Sequence, residues 1–107
     1  MVARTRARDR DEFIDLINQV LDDVEDLRAA IEYDEEFMGN VAMIVEPISI
    51  ELGGLLTAVR SGEYKLGQDG WLDFVTALQN TDHHYIPFWP LLKLILDTHQ
   101  RGYQERS

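Results

Sequence analysis

Apolar residues in the N-terminal third fall at Phe13, Ile17, Val20, Val24, Leu27 and Ile31. Their alternating spacing of four and three draws one seam along an amphipathic helix. Ile14, Leu16 and Leu21 widen the seam in its first half, and acids fill the opposite face. Asp9 or Asp11 stands where an N-cap oxygen is needed, and the acids of the first turn suit the positive end of the helix dipole. Arg4, Arg6, Arg8 and Arg10 sit on the wrong side of that dipole. Residues 1–8 therefore read as a flexible basic arm and 9–107 as a single helical domain.

A second helical pattern runs from Glu35 to Arg60, with Phe37, Val41, Ile44, Ile48, Leu52, Leu55 and Val59 on one side. Pro47 lies inside it. Proline removes a helical hydrogen bond and clashes with the preceding turn, which predicts a kink or a break after Val45. Gly53 and Gly54 each cost a helix about 1 kcal/mol against alanine. Close approach of another helix would offset that cost, so they mark an expected crossing point. Ser61-Gly62 is a C-terminal stop. Residues 63–70 form a connector anchored by Tyr64 and Leu66. Trp71, Phe74, Val75 and Leu78 then give a short helix, with Asp69 as its expected cap. A loop from Asn80 to Ile86 leads to Pro87 and Pro90, which favour a helix start. Phe88, Leu91, Leu92, Leu94, Ile95 and Leu96 cover more than one face of that last helix. This places it at the centre of the domain, with polar, fraying residues after Asp97. The expected fold class is all-α, a compact bundle of four to five helices.

With 45% hydrophobic residues in 107, the chain has the composition of a folded domain near the commonest domain size. It has no cysteine, which excludes disulfides and Cys-based metal centres. No apolar run approaches the roughly 18–20 residues of a membrane span, and the N-terminus carries no apolar signal core, so the expected location is the cytoplasm.

Charge changes the picture more. The net charge is −10, and residues 11–36 alone hold eleven acids against a single base, Arg28. Such a surface repels phosphate, which makes nucleic acid an unlikely partner of the folded body. The arginine arm has an acidic helix immediately beside it, and self-contact outcompetes nucleic acid there. An acidic helix face is suited to a basic protein surface or to a second copy of the chain. Asp15, Asp22, Asp23 and Asp26 are its candidate interaction residues. Trp89 joins them, because Phe88 and Trp89 are adjacent and cannot both face inward, and exposed tryptophan favours interfaces.

Candidates for chemistry are sparse. Asp82, His83 and His84 share a loop, and His99 is the remaining histidine. Imidazole with carboxylate is the chemistry of zinc ligation and of acid–base catalysis near neutral pH. Adjacent loop side chains seldom converge on one atom, so these four are weak metal candidates. No catalytic residue, cofactor or resident metal is expected. Glu46 and Glu51 read as solvated helix charges. The chain holds no nucleophile triad pattern, phosphate-binding glycine loop or Glu-x-x-His pair.

The opening Arg8-Asp-Arg-Asp-Glu-Phe13, with Pro87-Phe-Trp-Pro-Leu-Leu92 and Thr98-His-Gln-Arg-Gly102 near the close, resembles a group of small uncharacterised bacterial helical proteins. Some of that group carry a general-secretion-pathway label. The resemblance implies a bacterial cytoplasmic protein and supplies no catalytic residues. The leading expectation is a non-enzymatic interaction or regulatory module working through its acidic helix. The alternative is a small metal-binding protein or enzyme centred on the Asp82-His83-His84 loop.

Overall fold

The acidic helix is α1, Arg10–Tyr33, and its seam becomes the core as the spacing requires. Phe13, Ile17, Val20 and Val24 are fully buried, with Leu16 and Leu27 nearly so. Each such side chain is worth about 1.5–3 kcal/mol of burial. Asp9 caps the helix: its carboxylate accepts the Glu12 N–H at 2.9 Å, and its backbone carbonyl accepts the Phe13 N–H at 3.0 Å. The computed structural model describes residues 6–33, 39–68, 70–80, 86 and 88–103, without the side chains of 31–33 and 39–42. All regular structure among them is α-helical: α1, α2 (Gly39–Ser61), α3 (Asp73–Gln79) and α4 (Trp89–Arg101).

The helix pairs in contact are α1 with α2, α2 with α3, α3 with α4 and α4 with α1, and the α1–α2 pair is the most extensive. The helices thus form a ring around one core cluster, and neither diagonal pair meets. The last helix does not occupy the centre as expected. It closes the ring against α1, burying Leu92, Ile95, Leu96, Thr98 and His99. Its buried face also extends past Asp97, where fraying was expected.

The second helical region is one continuous helix through Pro47, so the expected break does not occur. Proline leaves the Met43 carbonyl without its usual N–H partner. Met43 is 77% exposed, which puts that turn where water can serve the carbonyl. On the other side Ile44, Val45 and Ile48 are 5%, 3% and 0% exposed, and their burial opposes unwinding. The predicted stop is a Schellman motif: Gly62 adopts φ +83°, its N–H reaches the Val59 carbonyl, and the Glu63 N–H reaches Ala58. Gly53 and Gly54 are not a crossing point within the chain, since a Cβ added at either would meet nothing within 4 Å.

Two polar contacts tie the ring together. The N-cap position of α3 is Leu72, in a left-handed conformation (φ 60°, ψ 32°) and without a side-chain cap. The cap comes from α2 instead. Glu51 accepts the Phe74 N–H at 2.9 Å and the Val75 N–H at 3.1 Å. The expected cap, Asp69, lies outside the described residues, and Glu51 is a structural ligand where a solvated charge was expected. The second contact docks the end of the presumed arm. Ala7 is 1% exposed and donates its N–H to Thr98 Oγ1 at 3.1 Å, while Thr98 donates to the Leu94 carbonyl at 2.8 Å. Residues 6–8 are therefore attached to α4 and α1; the rest of the arm expected for 1–8, residues 1–5, lies outside the described residues.

Glu51→Ala removes both acceptors from the start of α3 and is expected to cost about 1–2 kcal/mol in urea unfolding. Glu51→Gln keeps one acceptor oxygen and is expected to lose less. Equal stability of wild type and both variants would refute the capping role.

Candidate functional site

Two regions are candidates for function: the outer face of α1 and a polar hollow beneath the α2–α3 connector. On α1, Asp11, Asp15, Asp22 and Asp26 are all exposed, and spacings of 4, 7 and 4 residues set them in one line. At about 1.5 Å rise per residue the line is about 22 Å long. The neighbouring acids are occupied. Glu12 is paired with Arg8 at 3.0 Å, and that hydrogen bond chiefly holds its carboxyl below the ordinary range. Glu25 binds Arg28 at 2.7 Å, and the same guanidinium reaches Glu46 of α2, also at 2.7 Å. None of the four aligned aspartates makes an ion pair among the described residues.

The line ends at a cleft of about 330 Å³ lined by Asp23, Asp26, Leu27, Ala30 and Phe88. Leu27 and Phe88 make an apolar floor, 8% and 3% exposed, and the two aspartates make an acidic rim. Asp23 is half-buried against this cleft while Asp22 faces solvent. The acidic candidates thus converge on the start of α4. Trp89 is half-buried and packs against the core; Phe88, not Trp89, is the aromatic residue of the cleft.

The second region centres on His99. It is 7% exposed, and its Nδ1 is hydrogen-bonded to the Tyr64 hydroxyl. Phe13 and Trp71 pack on the Tyr64 ring, with centroids 5.8 and 5.6 Å away, and Tyr103 packs edge-on against Phe13 at 6.3 Å. Burial is the main cause that pushes the Tyr64 hydroxyl well above its ordinary value of 10.0, with Tyr103 adding to it. Burial likewise raises Tyr103, partly opposed by Arg10. Which of the two groups donates in this bond follows from the imidazole tautomer. His99 and Gln100 form one side of a hollow of about 300 Å³, with Gln68, Trp71, Asp73 and Thr76 around it. Gly67 and Gly70 at its edge have φ of +77° and +93°, which fold the connector tightly over the hollow.

Of the metal candidates, Asp82, His83 and His84 lie outside the described residues. His99 is a buried partner of Tyr64, and no group of three or more His, Asp or Glu that could hold a metal ion occurs among the described residues. The pairing with Tyr64 was absent from the sequence reading, although Leu92, Leu96 and His99 share the spacing of a single buried face. No described helix is long and apolar enough to cross a membrane. No family model, no curated protein and no solved structure matches the chain.

Both tyrosines hold their protons more tightly folded than unfolded, so the folded state binds more protons at high pH. Their contribution to stability is complete below pH 10.0, the ordinary tyrosine value, and is lost as pH rises from there towards the folded values. The denaturation midpoint is expected to fall above pH 10.0, with tyrosinate absorbance appearing together with unfolding. Tyr64→Phe is expected to start less stable but to show a shallower alkaline decline. An unchanged alkaline slope in that variant would contradict the assignment.

Proposed function

We infer that the protein is a non-enzymatic interaction module, cytoplasmic, whose α1 face captures a basic amphipathic segment of a partner protein. One observation carries this reading: four exposed aspartates stand in line with no ion pair among the described residues and run into a cleft with an apolar floor. Like charges four residues apart on a helix are mutually destabilising by about 0.2–0.5 kcal/mol per pair. Asp11 with Asp15 and Asp22 with Asp26 are two such pairs. The fold keeps these repulsions while neutralising Glu12, Glu25 and Glu46 nearby. A basic partner relieves them.

The cleft adds a requirement that charge alone lacks. An apolar side chain from the partner fits over Leu27 and Phe88, and flanking lysine or arginine residues reach Asp22, Asp23 and Asp26. Charge then speeds encounter and sets the salt dependence, and the apolar contact supplies the lasting part of the affinity. Asp15 extends the contact by two helical turns. Nucleic acid is disfavoured by the same carboxylates.

The test is affinity capture from native extract at low salt, using wild type and a variant with Asp22, Asp23 and Asp26 reversed to lysine. Capture of a basic protein is expected to fall at least about tenfold in the variant, and wild-type capture to weaken steadily with added salt. An Asp→Asn version of the same three sites is expected to melt no lower than wild type, because it relieves repulsion. Undiminished capture by the reversed variant would exclude the acidic face.

A further inference from the structure

We propose that the outer face of α2 is a self-association surface, on which a second copy of this chain packs its own α2 antiparallel about a twofold axis near Gly53. Met43 and Ile50 are the two large hydrophobic side chains exposed among the described residues, at 77% and 72%. Both lie on one face of α2. The same face continues through Pro47, Gly54, Thr57 and Ser61, all at three- or four-residue spacing. Bulk is concentrated in the N-terminal half of this strip, and the C-terminal half is small or short.

That asymmetry makes the face complementary to itself when one copy is reversed. With the axis between Ile50 and Gly54, level with position 52 and one residue from Gly53, Ile50 of one copy falls over Gly54 of the other, Pro47 over Thr57, and Met43 over Ser61. Gly53 and Gly54 leave room for the insertion, since a Cβ at either position would meet no atom within 4 Å. Two glycines inside a helix cost about 1 kcal/mol each, and no close neighbour among the described residues offsets that cost. A close helix–helix approach between copies does.

Charge selects the same partner and the same direction. A molecule of net charge −10 repels its copies through most of its surface, and through α1 above all. On α2, Glu51 is tied to the amides of α3, which takes one of its two carboxylates out of the encounter. Glu46 and Arg60 flank the strip along one edge, fourteen residues apart. Arg60 is exposed, and its guanidinium makes no ion pair among the described residues. The antiparallel twofold brings Arg60 of each copy within two residues of Glu46 of the other, an exposed carboxylate that binds Arg28 through one oxygen and can take a second guanidinium. A parallel pairing would set these edges on opposite sides of the interface and bring neither charge near its counterpart.

The strip from Met43 to Ser61 is about 28 Å long and about 10 Å wide. Two copies therefore bury roughly 600 Å² in total, below the about 1,200 Å² of stable complexes. The expected dimer is weak and concentration-dependent. Sedimentation equilibrium of the full chain at physiological salt is expected to show reversible dimerisation between about 10 µM and about 1 mM. Ile50→Glu is expected to raise the dissociation constant at least about tenfold. Gly54→Leu fills the hollow with a better helix former and is expected to do the same while the helix content stays high. The chain has no native cysteine, so Gly53→Cys is expected to form an intermolecular disulfide rapidly, and Gln100→Cys on α4 to form it slowly. A chain that stays monomeric to about 1 mM overturns the proposal. So does a dimer unaffected by Ile50→Glu and Gly54→Leu, or equal crosslinking at the two cysteine positions.

Discussion

Everything in this fold rests on the burial of one face of α1. Phe13, Ile17, Val20 and Val24 leave water completely, and α1 is the only helix that packs extensively on both of its neighbours, α2 and α4. The short α3 completes the ring by contacting those same two helices. The hydrophobic gain along the α1 seam fixes which side of the helix faces out, and the outward side holds the aspartates. Acidity and core formation are two faces of one periodic pattern. Moving the helix by a single position would place Asp15, Asp23 and Asp26, or in the other direction Glu25, in the core, at a cost no burial could offset. The geometry of the acidic line is therefore as rigid as the core behind it.

Around that helix the chain uses polar groups sparingly and at joints. Glu51 reaches from α2 to the first amides of α3, Thr98 receives the backbone of Ala7, and Tyr64 pairs with His99 under the connector. Each joins segments far apart in sequence, and each satisfies a group whose burial would otherwise be costly. Arg28 works likewise, drawing Glu25 and Glu46 together across α1 and α2. Charges committed to structure are thereby separated from those left to solvent, and the latter make up the candidate recognition surface.

The parts of this architecture that were legible in the sequence are those set by neighbours along the chain. The seam of α1, the Asp9 cap, the Ser61-Gly62 stop, the short helix after Trp71 and the proline-marked start of α4 all follow from local spacing and turn chemistry. What escaped depends on partners distant in sequence. Nothing within ten residues of Glu51 signals that it caps α3. His99 looks like a polar residue in a fraying end until Tyr64 is placed beside it. Pro47 reads as a breaker, yet the burial of Ile44, Val45 and Ile48 on one side and an open turn at Met43 on the other keep the helix whole. Gly53 and Gly54 read as a crossing point for another helix, but the ring of helices supplies no partner there: a Cβ at either would meet nothing within 4 Å. For the site, the acidic residues and their common face were visible from periodicity, whereas the cleft on Leu27 and Phe88 required the α1–α4 contact.

The central claim is that the aspartate line and the Leu27–Phe88 cleft form one recognition surface for a basic amphipathic segment. An amide chemical-shift titration of the isotope-labelled protein with a short helical peptide of alternating lysine and leucine faces tests it most directly. The account predicts shifts concentrated at residues 22–30 and 88–89, extending towards Asp15, and weakening as salt is added. Shifts centred instead on Gln68–Thr76, or none at any peptide concentration, would contradict it.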